Sequence, residues 1–276
     1  MNIIHKIFLK FKSFAGIAFS ANEHNLGYAD ILKTIKGITG IQTGGENFEF
    51  TYFEMPLFAR KYPCSDMLVV KQVLLQHEYR PAVDFFKDNF SGHSALHIID
   101  AGANVGYASV YFLKNFSNAE IACIEPDTEN ARMIEKNLAA YIQKGSVKIF
   151  LNALMDEKDK NILIKKDFRG GKDWSLTVAE TKDKTGLRSI TISEIIKQQQ
   201  WDQVDILKID IEGAERFVLS NNSDVSYLQK VKLVTIEIHD EFKVRENIYD
   251  VLRNNNFLLL NFGETTFCIN KLYMTQ

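Results

Sequence analysis

The sequence is poor in the residues that define several large classes of protein. Its 276 residues include only three cysteines and four prolines, and 33 basic side chains nearly balance 35 acidic ones. Cys64, Cys123 and Cys268 are widely spaced and form no CxxC pair. This spacing argues against a disulfide framework or a zinc site, and a reducing compartment is the simpler interpretation. The formal charge of −2 argues against a protein that coats nucleic acid.

Long apolar runs are also absent, since no stretch reaches the roughly 18 uninterrupted apolar residues of a membrane span. From Ile3 to Ala18, apolar residues recur at helical spacing with lysines interleaved, whereas a secretory signal places its lysines before the apolar run. We expect an amphipathic helix over residues 3–19 that packs on its own domain or on a second subunit of a homo-oligomer. A helix on a membrane surface is the alternative. The expected location is the cytoplasm, peripheral to the inner face of the membrane under that alternative.

The proportions that are present are those of a globular protein, with 46% hydrophobic and 25% charged residues. We expect an N-terminal extension of helices and short strands over residues 1–90 and an α/β domain over residues 91–276. Within that domain short apolar runs alternate with helical patterns, which predicts a parallel sheet with right-handed crossovers. A charged segment at about 156–190 interrupts the alternation and is expected to be an insertion containing a hairpin. The apolar runs lie at residues 96–99, 121–124, 147–151, 205–209 and 231–238.

A glycine-rich turn follows the first of these strands. Asp100, Gly102 and Gly106 form the pattern D-x-G-x-x-x-G between strand and helix. The dinucleotide fingerprint G-x-G-x-x-G fails, because Asn104 and Tyr107 stand at its second and third glycine positions. An acid before the first glycine suits a cationic ligand better than a pyrophosphate. A purely structural strand–turn–helix junction is the alternative.

Carboxylates end the next strands as well. Glu125, followed by Pro126, comes about twenty residues after the glycine turn, where an acid commonly binds both hydroxyls of a ribose. The alternative is that Glu125 only caps the next helix. Asn152 and Ala153 follow the third strand, where they would lie along an adenine, although an asparagine at a strand end is often only a turn residue.

The ends of the fourth and fifth strands bring together titratable side chains. Asp210 and Glu212 follow the fourth strand, and Glu237 and His239 end the fifth. The carboxyl edge of an open α/β sheet is where ligands bind, so this cluster is a candidate for acid–base chemistry. The structural alternative is that Lys208 pairs with Glu212 or Glu237.

Together these motifs resemble the FkbM family of S-adenosylmethionine-dependent methyltransferases. The matching motifs are D-x-G-A-N-x-G at 100–106, I-E-P-D at 124–127, K-I-D-I-E-G-A-E at 208–215 and I-E-I-H at 236–239. The third run is the specific one, and the similarity spans about residues 65–270, including Ser65-Asp66, Glu78-Tyr79 and Trp174-Ser175-Leu176. The resemblance implies a Rossmann-like three-layer sandwich with a seven-stranded, mostly parallel sheet whose last strand is antiparallel.

The resemblance also implies S-adenosylmethionine as cofactor and O-methylation of a sugar, glycan or natural product. The expected cofactor-binding residues are Asp100, Gly102, Ala103, Asn104, Gly106, Glu125, Pro126, Asn152, Ala153, Asp210 and Tyr79. The expected catalytic residues are His239, Asp210, Glu212 and Glu237.

The identity of the general base stays open at this level. His239 has an apt ordinary pKa for the role, while Asp210 and Glu212 are also able to act. A divalent metal is left open, and its ligands would be Asp210, Glu237 and His239.

Two other functions remain as alternatives. One is an NAD(P)-dependent oxidoreductase on a related sheet, which the missing G-x-G-x-x-G disfavours. The other is a non-catalytic scaffold with a methyltransferase fold, which the presence of Asp100, Glu125, Asp210 and His239 disfavours. The expected partner is a small-molecule or glycan acceptor, with no nucleic acid.

Overall fold

The computed structural model describes residues 20–90, 95–165, 177–184 and 186–274. The predicted helix at 3–19 and the Trp174–Leu176 motif lie outside these residues. The chain forms two compact units, Met1–His77 and Glu78–Gln276. The predicted boundary near residue 90, between the N-terminal extension and the α/β domain, stays a prediction. Across the described residues, every helix is too short or too polar to cross a bilayer.

The first unit contains a capped helix and a three-stranded antiparallel sheet. Ser20 begins the helix with a reciprocal capping box, in which its hydroxyl accepts from the Glu23 N–H while the Glu23 carboxylate accepts from the Ser20 N–H. Phe48, Phe50 and Tyr52 are buried on one face of the middle strand, because alternate residues of a strand point to the same side. The elements are α1 (Ala21–Leu32), β1 (Ile38–Gln42), β2 (Asn47–Tyr52), β3 (Met55–Arg60) and α2 (Asp66–Val70), the last continued by a π-helical turn, Lys71–Leu75.

The second unit alternates strands and helices as expected. Its strands are β4 (Leu96–Ala101), β5 (Ala119–Ile124), β6 (Val147–Phe150), β7 (Ala153–Leu154), β8 (Ile162–Lys165), β9 (Thr177–Glu180), β10 (Ser189–Ile190), β11 (Val204–Ile209), β12 (Val231–Glu237), β13 (Phe257–Phe262) and β14 (Thr265–Asn270). Its helices are α3 (Arg80–Asn89), α4 (Tyr107–Asn115), α5 (Thr128–Asn137), α6 (Ala139–Gln143), α7 (Ile192–Gln199), α8 (Glu215–Val218) and α9 (Arg245–Asn254).

The main sheet has seven strands in the order β13-β14-β12-β11-β4-β5-β6. Strands β12, β11, β4, β5 and β6 run parallel to one another. Strand β14, the last in sequence, runs antiparallel to both β12 and β13. This arrangement confirms the predicted fold class.

Helices cover both faces of this sheet. Successive residues of a strand point to opposite sides, so a single strand packs against both helical layers. Ile99 of β4 belongs to an apolar core with Ile195 of α7 and Leu252 of α9. Its neighbour Asp100 points the other way, where its carboxylate accepts a hydrogen bond of 2.7 Å from Ser109 of α4. The sheet is therefore the middle of three layers.

Two buried ion pairs lie within the sheet, both on the central strand β11. Lys208 is paired in register with Asp100 of β4, and its ammonium lies 3.2 Å from that carboxylate. Three residues earlier, Asp205 lies 2.7 Å from the ammonium of Lys232 on β12. All four side chains are almost completely buried. Parallel strands with apolar faces thus carry two charged cross-strand contacts in their interior.

The hairpin predicted in the insertion, between residues 161–165 and 188–192, is wrong. Strand β8 instead pairs antiparallel with β9, and β10 pairs parallel with β7. Only an isolated bridge joins Asn161 to Arg188 among the described residues. Leu154 and Ile190 both enter the main core, so burial of these residues explains the β7–β10 pairing.

Candidate functional site

The turns that follow β4 and β11 are packed directly against each other. The Asp210 N–H donates to the carbonyl of Ala101 at 3.1 Å. Gly102 has φ +76°, and a Cβ added there would stand 1.7 Å from the carbonyl oxygen of Asp210. Only glycine allows this close approach. The predicted glycine turn and the first acid of the K-I-D-I-E run therefore form one piece of structure.

The glycine turn is also connected to the end of β5. The Asn104 N–H, at φ +51°, donates to Oε2 of Glu125 at 2.8 Å. Oε1 of Glu125 accepts from the Asp127 N–H at 3.0 Å. The side-chain oxygen of Asn104 is buried and has no hydrogen-bond partner among the described residues. The predicted cofactor residues Asn104 and Glu125 thus lie together, with acceptor capacity left over.

Glu125 does not cap the helix that follows it. Asp127 holds that position, since its carboxylate accepts from the N–H groups of Glu129 and Asn130. Burial raises the pKa of Glu125 to about 7, against the opposing effect of the hydrogen bonds from Asp127 and Asn104. A carboxyl group held in a dry position with no capping role is suited to bind a ligand.

Asp100 has a different environment from the one expected. Its side chain is completely buried and lies between Ser109 and Lys208. The Lys208 ammonium also donates to the carbonyl of Gly102 at 2.6 Å. The structural alternative that Lys208 pairs with Glu212 or Glu237 is wrong. Lys208 contacts both Asp100 and the carbonyl of Gly102, so this ion pair supports the glycine turn. The Asp100 carboxylate is completely buried and therefore not accessible to a ligand.

Beyond β11 and β12, carboxylates surround one imidazole. Nε2 of His239 lies 3.1 Å from Glu212 and 3.8 Å from Glu237, and its Nδ1 lies 3.0 Å from Glu215. The ring is 1% exposed. Glu212 reaches it because its backbone turns sharply after Asp210, with φ +51°. All four predicted catalytic residues therefore belong to one cluster, with Glu215 as a further member.

The protonation of this cluster follows from its contacts. Burial alone would lower the pKa of His239, but hydrogen bonds to Glu212 and Glu215 raise it to about 11. Burial and the nearby charge of Asp210 raise the pKa of Glu237 to about 8. Glu212 and Glu215 favour the protonated imidazole while no cation is bound beside it, and the choice of His239 as the base stays a prediction.

The remaining predicted residues also lie in the second unit. Tyr79 is buried, and its ring lies tilted against that of Phe112 with the centroids 5.5 Å apart. Burial, with the negative charges of Glu78 and Asp210, holds the pKa of its hydroxyl well above the ordinary value. Ala103 is buried beside Ile124, and Gly106 begins α4. Pro126 is half-buried between Glu125 and Asp127. The Asn152 amide donates to the carbonyl of Arg188 and so ties the end of β6 to the insertion, and Ala153 pairs with Ser189.

Sequence reasoning gave Glu215 no role, although it lies in the K-I-D-I-E-G-A-E run. Its carboxylate is completely buried, accepts from the Ile211 N–H at 3.1 Å and contacts His239. The signal available in the sequence was an acidic residue four positions after Ile211, just beyond the end of β11. Glu78 is a second such residue, and it accepts a hydrogen bond of 2.9 Å from Thr265 near the same edge.

A comparison with family models identifies the family of this chain. A family model described as the Methyltransferase FkbM domain matches residues 100–259. The chain is 24% identical over 189 residues to Methyltransferase sdnD of Sordaria araneosa, and this match covers 58% of this chain and 73% of that protein. It is 23% identical over 183 residues to AMB antimetabolite synthetase AmbE of Pseudomonas aeruginosa, and this match covers 52% of this chain and 8% of that protein.

A solved structure shows a weaker likeness. The crystal structure of methyltransferase FkbM from Methylobacillus flagellatus KT aligns with a TM-score of 0.43 and 13% identity. The alignment covers 71% of this chain and 52% of that one, so this chain matches about half of that protein. A likeness at this level adds nothing to the family match.

Proposed function

Because the chain belongs to the FkbM family of S-adenosylmethionine-dependent methyltransferases, we propose that it methylates a hydroxyl group of a sugar, a glycan or another natural product. One observation carries this proposal. Asp210, Glu212, Glu237 and His239 meet at the carboxyl edges of β11 and β12, directly beside the glycine turn after β4. A hydroxyl acceptor needs such groups, because its proton must leave as the new bond forms.

The residues at the glycine turn fit the cofactor. Glu125 is a buried carboxylate at the strand end where a ribose binds in this type of sheet. The buried side-chain oxygen of Asn104 provides an acceptor that other described residues leave unused. Gly102 lets the turn pack directly against the Asp210 backbone, which keeps Asp210 beside the residues proposed for the cofactor. S-adenosylmethionine supplies the electrophilic methyl group when bound, and Asn152, Ala153 and Tyr79 remain proposed contacts.

The reaction asks the protein mainly for alignment. Methyl transfer forms a carbon–oxygen bond as the carbon–sulfur bond breaks, and S-adenosylhomocysteine leaves. The acceptor proton goes to a carboxylate of the cluster. Asp210 and Glu237 are the members that a substrate reaches most easily, with side chains 31% and 18% exposed. His239 contacts Glu215 through Nδ1 and so holds that carboxylate in place.

The acceptor class has independent support. One relative is named as an antimetabolite synthetase, so a segment similar to this chain is part of an enzyme that makes a small molecule. The net charge of −2 gives no general attraction to a polyanion, and we propose no nucleic-acid partner. A cytoplasmic location is likewise a proposal.

The test begins with cofactor binding. At a hundredfold excess over its dissociation constant, S-adenosylhomocysteine should stabilise the protein by about 2.7 kcal/mol, which raises the melting temperature by several degrees. No shift at any concentration would favour a non-catalytic scaffold. Reduction or oxidation of a nicotinamide cofactor on mixing would favour the oxidoreductase.

The acceptor is then sought by mass spectrometry. Small molecules and glycans from host cells with and without the protein should differ by species that carry one added methyl group on oxygen. Incubation of the unmethylated fraction with isotopically labelled S-adenosylmethionine and the purified protein should transfer the label. A label found on nitrogen or carbon would contradict O-methylation while leaving the family membership intact.

A further inference from the structure

The donor atoms of three residues in the acid–imidazole cluster are spaced like the ligands of one cation. Asp210, Glu212 and His239 each place one ligand atom so that all three lie within 4.8 Å of one another. Nε2 of His239 and the nearest oxygen of Glu212 are 3.1 Å apart. Six-coordinate ions with bonds of roughly 2.1–2.4 Å have neighbouring ligands about 3.0–3.4 Å apart and opposite ligands about 4.2–4.8 Å apart. The observed spacing falls within this range.

The imidazole is oriented from behind by a second carboxylate. Glu215, completely buried, contacts Nδ1 of His239 at 3.0 Å and is itself held by the Ile211 N–H. With Nδ1 engaged there, Nε2 is the nitrogen that points toward Glu212. A carboxylate behind a histidine is the usual support of a metal ligand, because it sets the ring orientation and raises the basicity of the free nitrogen.

The charges of the cluster also call for a cation. Within the part of the chain that the structure describes, Glu212, Glu215 and Glu237 approach the single imidazole of His239, and Asp210 stands beside them. The Lys208 ammonium is 3.9 Å from Asp210 but closer to Asp100, whose charge it balances. Carboxyl groups therefore outnumber basic side chains in this cluster of described residues.

We propose that Asp210, Glu212 and His239 bind a divalent cation of the Mg²⁺ or Mn²⁺ type, with Glu215 as the positioning residue for His239. Two carboxylates and one imidazole suit these ions, and the partial exposure of Asp210 leaves room for water or an acceptor oxygen. The site deepens the proposed function, on which its catalytic meaning rests. A bound cation stabilises the deprotonated form of a hydroxyl placed beside it. With Asp210 among the ligands, Glu237 is the carboxylate left to accept the proton.

The test is a titration of the full chain with Mn²⁺, without S-adenosylmethionine or acceptor, followed by electron paramagnetic resonance. One Mn²⁺ per chain should bind with a dissociation constant on the order of 0.1 mM or lower. Asp210→Asn and Glu212→Gln should each weaken binding tenfold or more. Glu215→Ala should weaken it by roughly 10–100-fold, and Glu215→Gln, which keeps an acceptor oxygen for Nδ1, should weaken it less. Glu246→Gln, at an exposed carboxylate on α9, is the matched control and should bind like the unaltered protein.

The affinity of each variant for S-adenosylhomocysteine separates this proposal from the proposed function. Glu212→Gln, with a partly exposed side chain, should keep its cofactor affinity and lose Mn²⁺ binding, which supports the cation site. Mn²⁺ binding by a protein that does not bind S-adenosylhomocysteine would also support the site while removing the proposed function. The proposal is overturned if the unaltered chain binds no Mn²⁺ saturably, or if Asp210→Asn and Glu212→Gln bind it as the control does.

Discussion

Glu125 shows how a single residue acquires a role from its surroundings. Its carboxylate is nearly out of contact with water, and it accepts hydrogen bonds from the backbone N–H groups of Asn104 and Asp127 and, at 3.4 Å, from the side-chain amide of Asn130. Among the described residues Oε2 accepts from Asn104 alone, so it keeps a further lone pair. One ribose hydroxyl is therefore able to bind at Oε2 with these contacts kept, and a second is able to replace the long Asn130 contact at Oε1.

Glu125→Ala should weaken the binding of S-adenosylhomocysteine. The change removes charge-assisted hydrogen bonds worth roughly 2–3 kcal/mol, so affinity measured by calorimetric titration should fall about thirtyfold or more. Glu135→Ala, at an exposed site on the helix after the same strand, is the control and should leave the affinity unchanged. An unchanged affinity in a folded Glu125→Ala protein would remove this residue from the ribose site.

The binding of S-adenosylhomocysteine should also depend on pH. Burial raises the pKa of Glu125 to about 7, and only the ionised carboxylate accepts from both ribose hydroxyls. Affinity should be greatest above that value and should fall toward tenfold for each pH unit below it. Titrations at a series of pH values check this, and Glu125→Ala should flatten the profile. A profile of the same shape in both proteins would assign the effect to another group.

The sequence predicts the location of the site better than its contacts. The carboxyl ends of parallel strands share one edge, so the strand pattern alone brings Glu125, Asp210, Glu237 and His239 to the same side. The partners of Lys208 and His239 depend on where the backbone turns after β11. The positive φ of Glu212 carries its side chain back to His239, and residue spacing does not reveal such a turn.

At the scale of elements, the junction between the turns after β4 and β11 is the most constrained contact of the site. A side chain at Gly102 would occupy the space of the Asp210 carbonyl. The two turns carry residues proposed for the cofactor and for the acceptor. Their contact fixes the spacing of the two halves of the site.

Gly102→Ala should destabilise the protein more than an alanine at a glycine with the same backbone conformation. Gly145→Ala is the matched control, with φ +78° against +76° and no atom within 4 Å of an added Cβ. The control should lose about 1–2 kcal/mol from the unfavourable φ alone, whereas Gly102→Ala should lose about 2–5 kcal/mol because Asp210 must also move. Urea denaturation measures both, and equal losses would contradict the close contact.

Element prediction succeeded where burial alone determines the structure. The runs at β4, β5, β11 and β12 are apolar on both faces, and their lengths identify them as strands. The segment after β5 forms two helices, Thr128–Asn137 and Ala139–Gln143, because the buried Leu138 interrupts the helical backbone between them. Pairing in the insertion was not predictable, because strands of two to four residues carry too little pattern to specify a partner.

At the scale of the whole molecule, the first twenty residues offer a test of the expected partners. Removal of residues 1–19 keeps Ser20 and so preserves the capping box of α1. If the predicted amphipathic helix packs on its own domain or on a second subunit, the truncated chain should melt at a lower temperature or change its mass in light scattering. Loss of co-sedimentation with anionic vesicles, with mass and melting temperature unchanged, would instead indicate the membrane surface.

The two ion pairs of β11 have a consequence for how the sheet assembles. Parallel strands that are apolar on both faces lose little apolar burial when one slides past another, so hydrophobicity alone aligns them weakly. A shift of β11 by one residue would separate Lys208 from Asp100 and Asp205 from Lys232 at once. Each charge left unpaired in the interior costs several kcal/mol. Misaligned sheets are therefore penalised at both ends of the same strand, and this penalty sets the alignment of the edge that carries the residues proposed for the cofactor and the acceptor.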